Sequence, residues 1–397
     1  MSKKIYTYGY VFMIIGYVLD YSINFSGIGA AIKYLFTFLL LSFLVREKLK
    51  FKNYTSLLAI LCPFFIVPLI LVLAGKYVID INSVLIYSGS YIVFVLLAIS
   101  IIELFPNVLD FCKVTNFALV FPLGLNVIMS GQFSLNIKLM IFNMIGNTRV
   151  DRAMLGFPNP NTTGLIATMG FVLILAQFFY HKVTIGNIVC ALFYLLVIIN
   201  TGSRTALFSP VLGLIIVGCL TMFKKISPKI RIAMACFIVA AIIFSVYYSL
   251  LSKGLKFDFE GLNKLTSYRF QRQITTLRYL NSNNLLTWGV GNLNSTGLYS
   301  NSIGLFLNTD NSPIYFIVTI GLVGLCQVVG ILLWILSKIE LANKVGLFCF
   351  LTMIITSFFE HTLFVSTSLF SLLFLVIIYI SISEKRTIKT AKGEKAF

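Results

Sequence analysis

Long apolar runs alternate with short polar ones along almost the entire chain, and the runs are longer than strands require. A helix needs about 20 apolar residues to cross a bilayer. Runs of that order fill residues 5–23, 27–45, 55–74, 84–102, 115–130, 162–180, 185–200, 205–223, 232–251, 311–336, 345–359 and 363–382. The pattern predicts an all-α polytopic membrane protein of about twelve transmembrane helices, in one membrane domain over residues 1–397. Two polar stretches break the rhythm. Residues 131–161 separate the fifth and sixth runs, and residues 252–310, between the ninth and tenth, form the longest soluble segment.

Composition narrows the function classes. Of 397 residues 58% are hydrophobic and only 11% charged, which excludes an ordinary soluble domain. The formal net charge of +18 would suggest nucleic acid in a soluble protein. Here most cations sit in short connections between apolar runs, where they orient the chain instead. With Lys3 and Lys4 on the cytoplasmic side, the inner connections hold Arg46, Lys48, Lys50, Lys52, Lys113, Lys182, Lys224, Lys225, Lys229, Arg231, Lys338 and Lys344, followed by a basic tail from Lys385. Both termini are thus expected in the cytoplasm. No small-residue cleavage site follows Lys3 and Lys4, so the first run reads as an uncleaved span. The seven cysteines form no CxxC pair and no histidine stands at ligand spacing, which supports neither a disulfide framework nor a zinc site.

The external segments carry the candidate chemistry. Residues 131–161 contain Lys138, Arg149 and Arg152, and the segment 252–310 sets Lys253, Lys256, Lys264, Arg269, Arg272 and Arg278 against Asp258, Glu260 and Asp310. Surplus positive charge held against a membrane attracts a diphosphate. The plainer reading is a solvated basic loop on anionic headgroups. Arg204 lies in a turn too short to be a solvated loop, at the lipid boundary, where an arginine calls for a partner.

Four motifs, RAMLGFPNPN from Arg152, TGSRTA from Thr201, the run from SYRF at Ser267 to WGVGN at Trp288, and TDNSPIYFIVTIGLVG from Thr309, follow one another in external positions. Together they resemble the O-antigen ligase and polymerase superfamily, specifically the Wzy-type polysaccharide polymerases, over roughly residues 149–324. The resemblance implies a membrane glycosyltransferase of the C class (a GT-C-like fold) in the bacterial cytoplasmic (inner) membrane, with its active site on the external, periplasmic face. It would join oligosaccharide repeat units carried on undecaprenyl pyrophosphate into O-antigen, capsule or exopolysaccharide. The implied partners are these lipid-linked glycans, membrane lipid and a chain-length regulator, with no nucleic acid.

Carried over residue by residue, the resemblance gives Arg152, Arg204 and Arg269 the donor pyrophosphate. Asp310 would be the base, although ligases similar to this chain have a histidine there. Arg149, Asn161, Arg272, Arg278, Asn311, Glu360 and His361 complete the substrate-binding candidates. Guanidinium groups can stabilise the departing diphosphate where other enzymes use a metal, so no cofactor and no metal is expected. A single displacement of this kind inverts the anomeric centre.

Each assignment has a structural counterpart. Asp310 before Ser312 and Pro313 can be a helix cap. Glu360 and His361 can be ordinary loop residues, Gly289 and Gly291 can merely shape a turn, and Arg272 and Arg278 can simply face water. Two other functions stay open: a ligase attaching finished polysaccharide to another acceptor, and a lipid-linked sugar flippase or transporter. Against transport, no internal repeat is visible and no carboxylate falls at mid-span, since Asp20 and Glu103 both lie near span ends.

Overall fold

A computed structural model describes residues 3–46, 54–75, 81–136, 138, 152–180, 183–222, 258, 260–261, 269–291, 311–340 and 343–391. Among these residues every regular element is helical and there is no strand. The helices are α1 (Lys3–Asp20), α2 (Ser26–Arg46), α3 (Thr55–Leu73), α4 (Ile81–Leu104), α5 (Val108–Ser130), α6 (Pro160–Phe179), α7 (Ile185–Thr201), α8 (Arg204–Met222), α9 (Arg269–Ser282), α10 (Ser312–Lys338), α11 (Lys344–Phe359) and α12 (Leu369–Ala391). Seven of them, α2 to α6, α8 and α10, are long and apolar enough to cross a membrane. The apolar helices α7 and α11 and the apolar part of α12 are shorter. The protein is therefore a polytopic membrane protein. Every expected span coincides with a helix except 232–251, which lies outside the described residues.

Three boundaries differ from the hydropathy reading, each for a local reason. α5 begins at Val108 rather than at 115, because the Asn107 side chain accepts from the Asp110 amide and caps the helix ahead of the apolar run. α12 begins at Leu369 rather than at 363, because residues 360–368 turn back on themselves, with Phe364 at φ 50°. Third, part of the expected external loop is the amphipathic helix α9, docked on α10.

Small residues set the closest helix approaches, as in bilayers where packing rather than apolar burial drives association. A Cβ on Gly16 would meet the Lys33 backbone nitrogen at 2.5 Å and one on Gly29 the Asp20 nitrogen at 2.2 Å, so α1 and α2 touch backbone to backbone. Across that contact Lys33 pairs with Asp20, and its ammonium lies 4.5 Å from the Tyr34 ring centroid. An acid partner and an aromatic face offset the cost of a lysine inside a span. Deeper polar groups are also paired: Tyr194 donates to Asn116 Oδ1 at 2.8 Å, and the Tyr10 and Thr115 hydroxyls meet at 2.6 Å.

Polar residues gather at two ends of the bundle. At one end Tyr54 donates to Glu103, and Tyr180 donates to Glu384 at 2.9 Å. Burial first, and the neighbouring carboxylate second, hold both phenols well above their usual range, so they act as donors. The other end collects the α1–α2 turn, residues 131–136 and 152–159, the α7–α8 turn, the start of α9 and α10, and residues 360–368.

The helix α10 is broken at Gly321, whose φ of 69° and ψ of −175° no helix contains. In an unbroken helix the Leu322 and Val323 amides would bond to the Val318 and Thr319 carbonyls. Instead those carbonyls accept from Val290 (2.7 Å) and Gly291 (2.9 Å), while the Leu322 and Val323 amides donate to Leu286 (3.0 Å) and Thr287 (3.2 Å). The glycine-rich segment after α9 thus plugs the break and leaves none of the four groups bare. Both glycines are sterically required. A Cβ on Gly289 would lie 2.7 Å from the Gly321 nitrogen, and one on Gly321 only 2.2 Å from the Thr287 oxygen. Gly289 and Gly291 therefore do more than shape a turn. Leu280 and Val290 seal the joint against Ile314, Ile317 and Val318.

Gly321→Ala or Gly289→Ala is expected to cost about 3 kcal/mol or more, from forbidden backbone angles and a backbone clash. Gly330→Ala in the same helix, with nothing within 4 Å of the added Cβ, should be neutral. Thermal unfolding of the detergent-purified variants measures the contrast.

Candidate functional site

The motif around Arg152 is held by two neighbouring segments. The Asn200 backbone oxygen accepts from the Ala153 amide at 3.3 Å and its side chain from the Ser134 amide at 3.0 Å. Gln132 Oε1 accepts from both the Met154 and Leu155 amides, at 3.0 and 2.9 Å. Leu155 and Phe157 are fully buried beneath, and the Gly156 carbonyl accepts from the Ile23 amide at 2.9 Å. The two prolines and Asn159 then start α6, with the Asn159 side chain accepting from the Asn161 amide at 2.9 Å. Arg152 is consequently fixed on a pinned loop at the mouth of a helix.

From Arg152 a chain of polar contacts crosses the end of the bundle. Its Nε donates to the Thr201 carbonyl at 2.8 Å, and its Nη2 to Asn161 Oδ1 at 2.6 Å. Asn161 Nδ2 donates in turn to Glu360 Oε1 at 3.1 Å. Arg269 approaches the same oxygen at 3.9 Å and donates to the Phe359 carbonyl at 2.9 Å. Glu360 thus stands between two guanidinium groups, reached directly by one and through an amide by the other. Its backbone is set by Ser312, whose hydroxyl donates to the Glu360 carbonyl at 3.3 Å and accepts from the Thr362 and Leu363 amides at 3.1 and 3.0 Å.

The other expected residues are distributed around this chain. Asn311 caps α10 by accepting from the Ile314 amide at 2.9 Å, so the capping role considered for Asp310 belongs to its neighbour. Asp310 and Arg149 lie outside the described residues. The His361 ring packs at 5.1 Å on Tyr315. Arg204 opens α8 with an exposed side chain, one turn before Phe208, whose ring meets Phe359 at 6.1 Å. Arg272 lies half-buried on the helix face of Arg269 and Thr276. Arg278 is roughly 2.5 turns beyond Arg269, which puts it on the opposite, exposed face of α9.

Charge in this cluster favours an anion. Two guanidinium groups face one carboxylate, and the capped N-termini of α6 and α10 add partial positive charge. Beside the cluster a cavity of about 270 Å³ reaches into the bundle, with Asn159, Asn161, Glu360 and His361 in its wall. The arginines lie outside that wall and touch it through Asn161 and Glu360. Among the described residues no group of three His, Cys, Asp or Glu side chains could hold a metal.

Glu360 carries more of the geometry than its sequence position suggests. An acid beside a histidine in a short loop is an ordinary pattern, and its partner Asn161 lies 199 residues away. The available signal in the sequence is its expected external placement at the start of a turn, an expectation shared with the arginine motifs.

No curated protein matches the chain. Residues 189–329, from α7 through the α10 break, match the family model described as O-antigen ligase. This third of the molecule, which contains Arg204, Arg269 and the broken helix, is similar to that family, which is consistent with the O-antigen ligase and polymerase superfamily that the four sequence motifs resemble.

Proposed function

We propose that the protein polymerises undecaprenyl-pyrophosphate-linked oligosaccharide repeat units into surface polysaccharide at the outer face of the bacterial cytoplasmic membrane. The family match supports a membrane glycosyltransferase-like enzyme with lipid-linked polysaccharide substrates. The observation that carries the finer reading is the gathering of Arg152 and Arg269 about Glu360 at the end of the bundle where the external segments meet.

The chemistry follows from charge. A hydroxyl oxygen of the acceptor sugar attacks C1 of the donor, a new C1–O bond forms, and the bond from C1 to the diphosphate breaks with its electron pair leaving on phosphate. Arg152, Arg204 and Arg269 stabilise that growing negative charge, each with a planar fork suited to phosphate oxygens. In the absence of donor, Glu360 keeps Arg269 aimed. The hydroxyl proton passes to Asp310, directly ahead of the α10 cap. Attack from the face opposite the diphosphate inverts the anomeric centre. An aspartate where similar ligases have a histidine favours polymerisation over ligation.

Surface glycan gels of a deletion strain complemented with variants test this reading. Arg269→Ala, Arg204→Ala and Asp310→Asn should each cut polymer formation about 100-fold or more, leaving single-repeat product. Arg269→Lys should rescue poorly, because an ammonium lacks the fork. A full-length ladder that fails only to attach to its acceptor would indicate a ligase, and repeats trapped inside the cell would indicate transport.

Asn161 links Arg152 to Glu360, so Asn161→Ala should destabilise the purified protein by about 1–3 kcal/mol, by leaving two charged groups short of a partner. Thermal unfolding checks this, and the same variant should retain much less polymerising activity than its remaining folded fraction.

A further inference from the structure

The cavity beside Glu360 is not occupied by the arginine machinery, and its lining has a definite polarity. Asn159, Asn161, Glu360, His361 and Thr362 form its outer wall, while Leu119, Ile166, Met169 and Phe370 form its floor. Met169 lies nine residues into α6, so the floor is roughly 14 Å below the helix start. An apolar cavity of about 150 Å³ accommodates a benzene ring. At about 270 Å³ this one has room for a single sugar ring.

We propose that this cavity is a monosaccharide subsite that takes the terminal sugar of the acceptor, a step that rests on the polymerase reading above. The wall discriminates among possible occupants. A carboxylate in the wall repels a diphosphate, and the guanidinium groups that would attract one lie outside it. An isoprenoid chain would leave the amides and the carboxylate facing hydrocarbon. A sugar satisfies both halves: its hydroxyls donate to Glu360 and exchange hydrogen bonds with the asparagine amides, and its C–H face lies on Met169 and Phe370. Thr362 adds a second observation. It lines the cavity at 5% exposure, its amide is committed to Ser312, and its hydroxyl has no hydrogen-bond partner in the protein. A buried hydroxyl without a partner costs stability, and in a cavity wall a ligand hydroxyl can supply that partner.

The orphaned hydroxyl gives a clean test, because Thr362→Val removes an unmet polar group and should leave the fold as stable or more so. The probe is the free oligosaccharide released by mild acid from the host's own lipid-linked repeat unit, radiolabelled, in equilibrium dialysis against the full chain in detergent. Saturable binding is expected, about tenfold weaker in Thr362→Val, restored in Thr362→Ser, and lost when Met169→Trp fills the floor. Absence of saturable binding to the intact protein, or equal binding by Thr362→Val and Met169→Trp, overturns the subsite. Failure of the polymerase reading registers separately, as polymer formation that survives Arg269→Ala while oligosaccharide binding is intact.

Discussion

Inside a bilayer no water is available to backbone amides and carbonyls, so a helix can break there only where other protein backbone takes over its hydrogen bonds. The break in α10 at Gly321 meets that constraint by borrowing the segment 286–291, and much of the functional end depends on the exchange. Because 286–291 is locked to α10, the helix α9 just before it is brought onto the bundle, and Arg269 arrives beside Phe359 and Glu360. The N-terminal half of the same helix carries Asn311 and Ser312, and Ser312 sets the backbone of residues 360–363. One broken helix therefore positions both an arginine and the carboxylate it faces.

The second support is the loop before α6. Gln132, Asn200 and the buried Leu155 and Phe157 hold residues 152–157 so firmly that Arg152 points across the α7–α8 turn to Asn161. Two independently anchored arginines then converge on one carboxylate. Exposed ion pairs contribute little to stability. With side-chain exposures of 29% and 18%, the Arg269 and Glu360 pair adds little as a fold-holding contact, and under the proposed function it orients Arg269 for an incoming anion.

A cluster assembled this way suits a reaction whose main demand is charge stabilisation at a leaving group. Positioned guanidinium groups need no reorganisation as negative charge develops. The adjacent cavity is polar at its rim and apolar at its floor, and under the proposed function it would take the sugar while the guanidinium groups hold the diphosphate.

Hydropathy and helix length alone determined the helical class, nearly every span, and the sorting of the arginine motifs to one end, because apolar run length and loop alternation are local quantities. Asn107 and the turns of residues 360–368 shifted two helix starts by about two turns of helix, since caps and tight turns answer to backbone hydrogen bonds that hydropathy does not encode. Only the tertiary structure decided that Gly321 breaks α10, because an apolar run reads the same whether its hydrogen bonds are its own or borrowed. It also decided that Glu360, rather than a loop arginine, sits at the centre, and that Arg278 faces away from Arg269 although both belong to one short helix. Those outcomes depend on contacts between residues far apart in the chain, for which a single sequence carries no local signature.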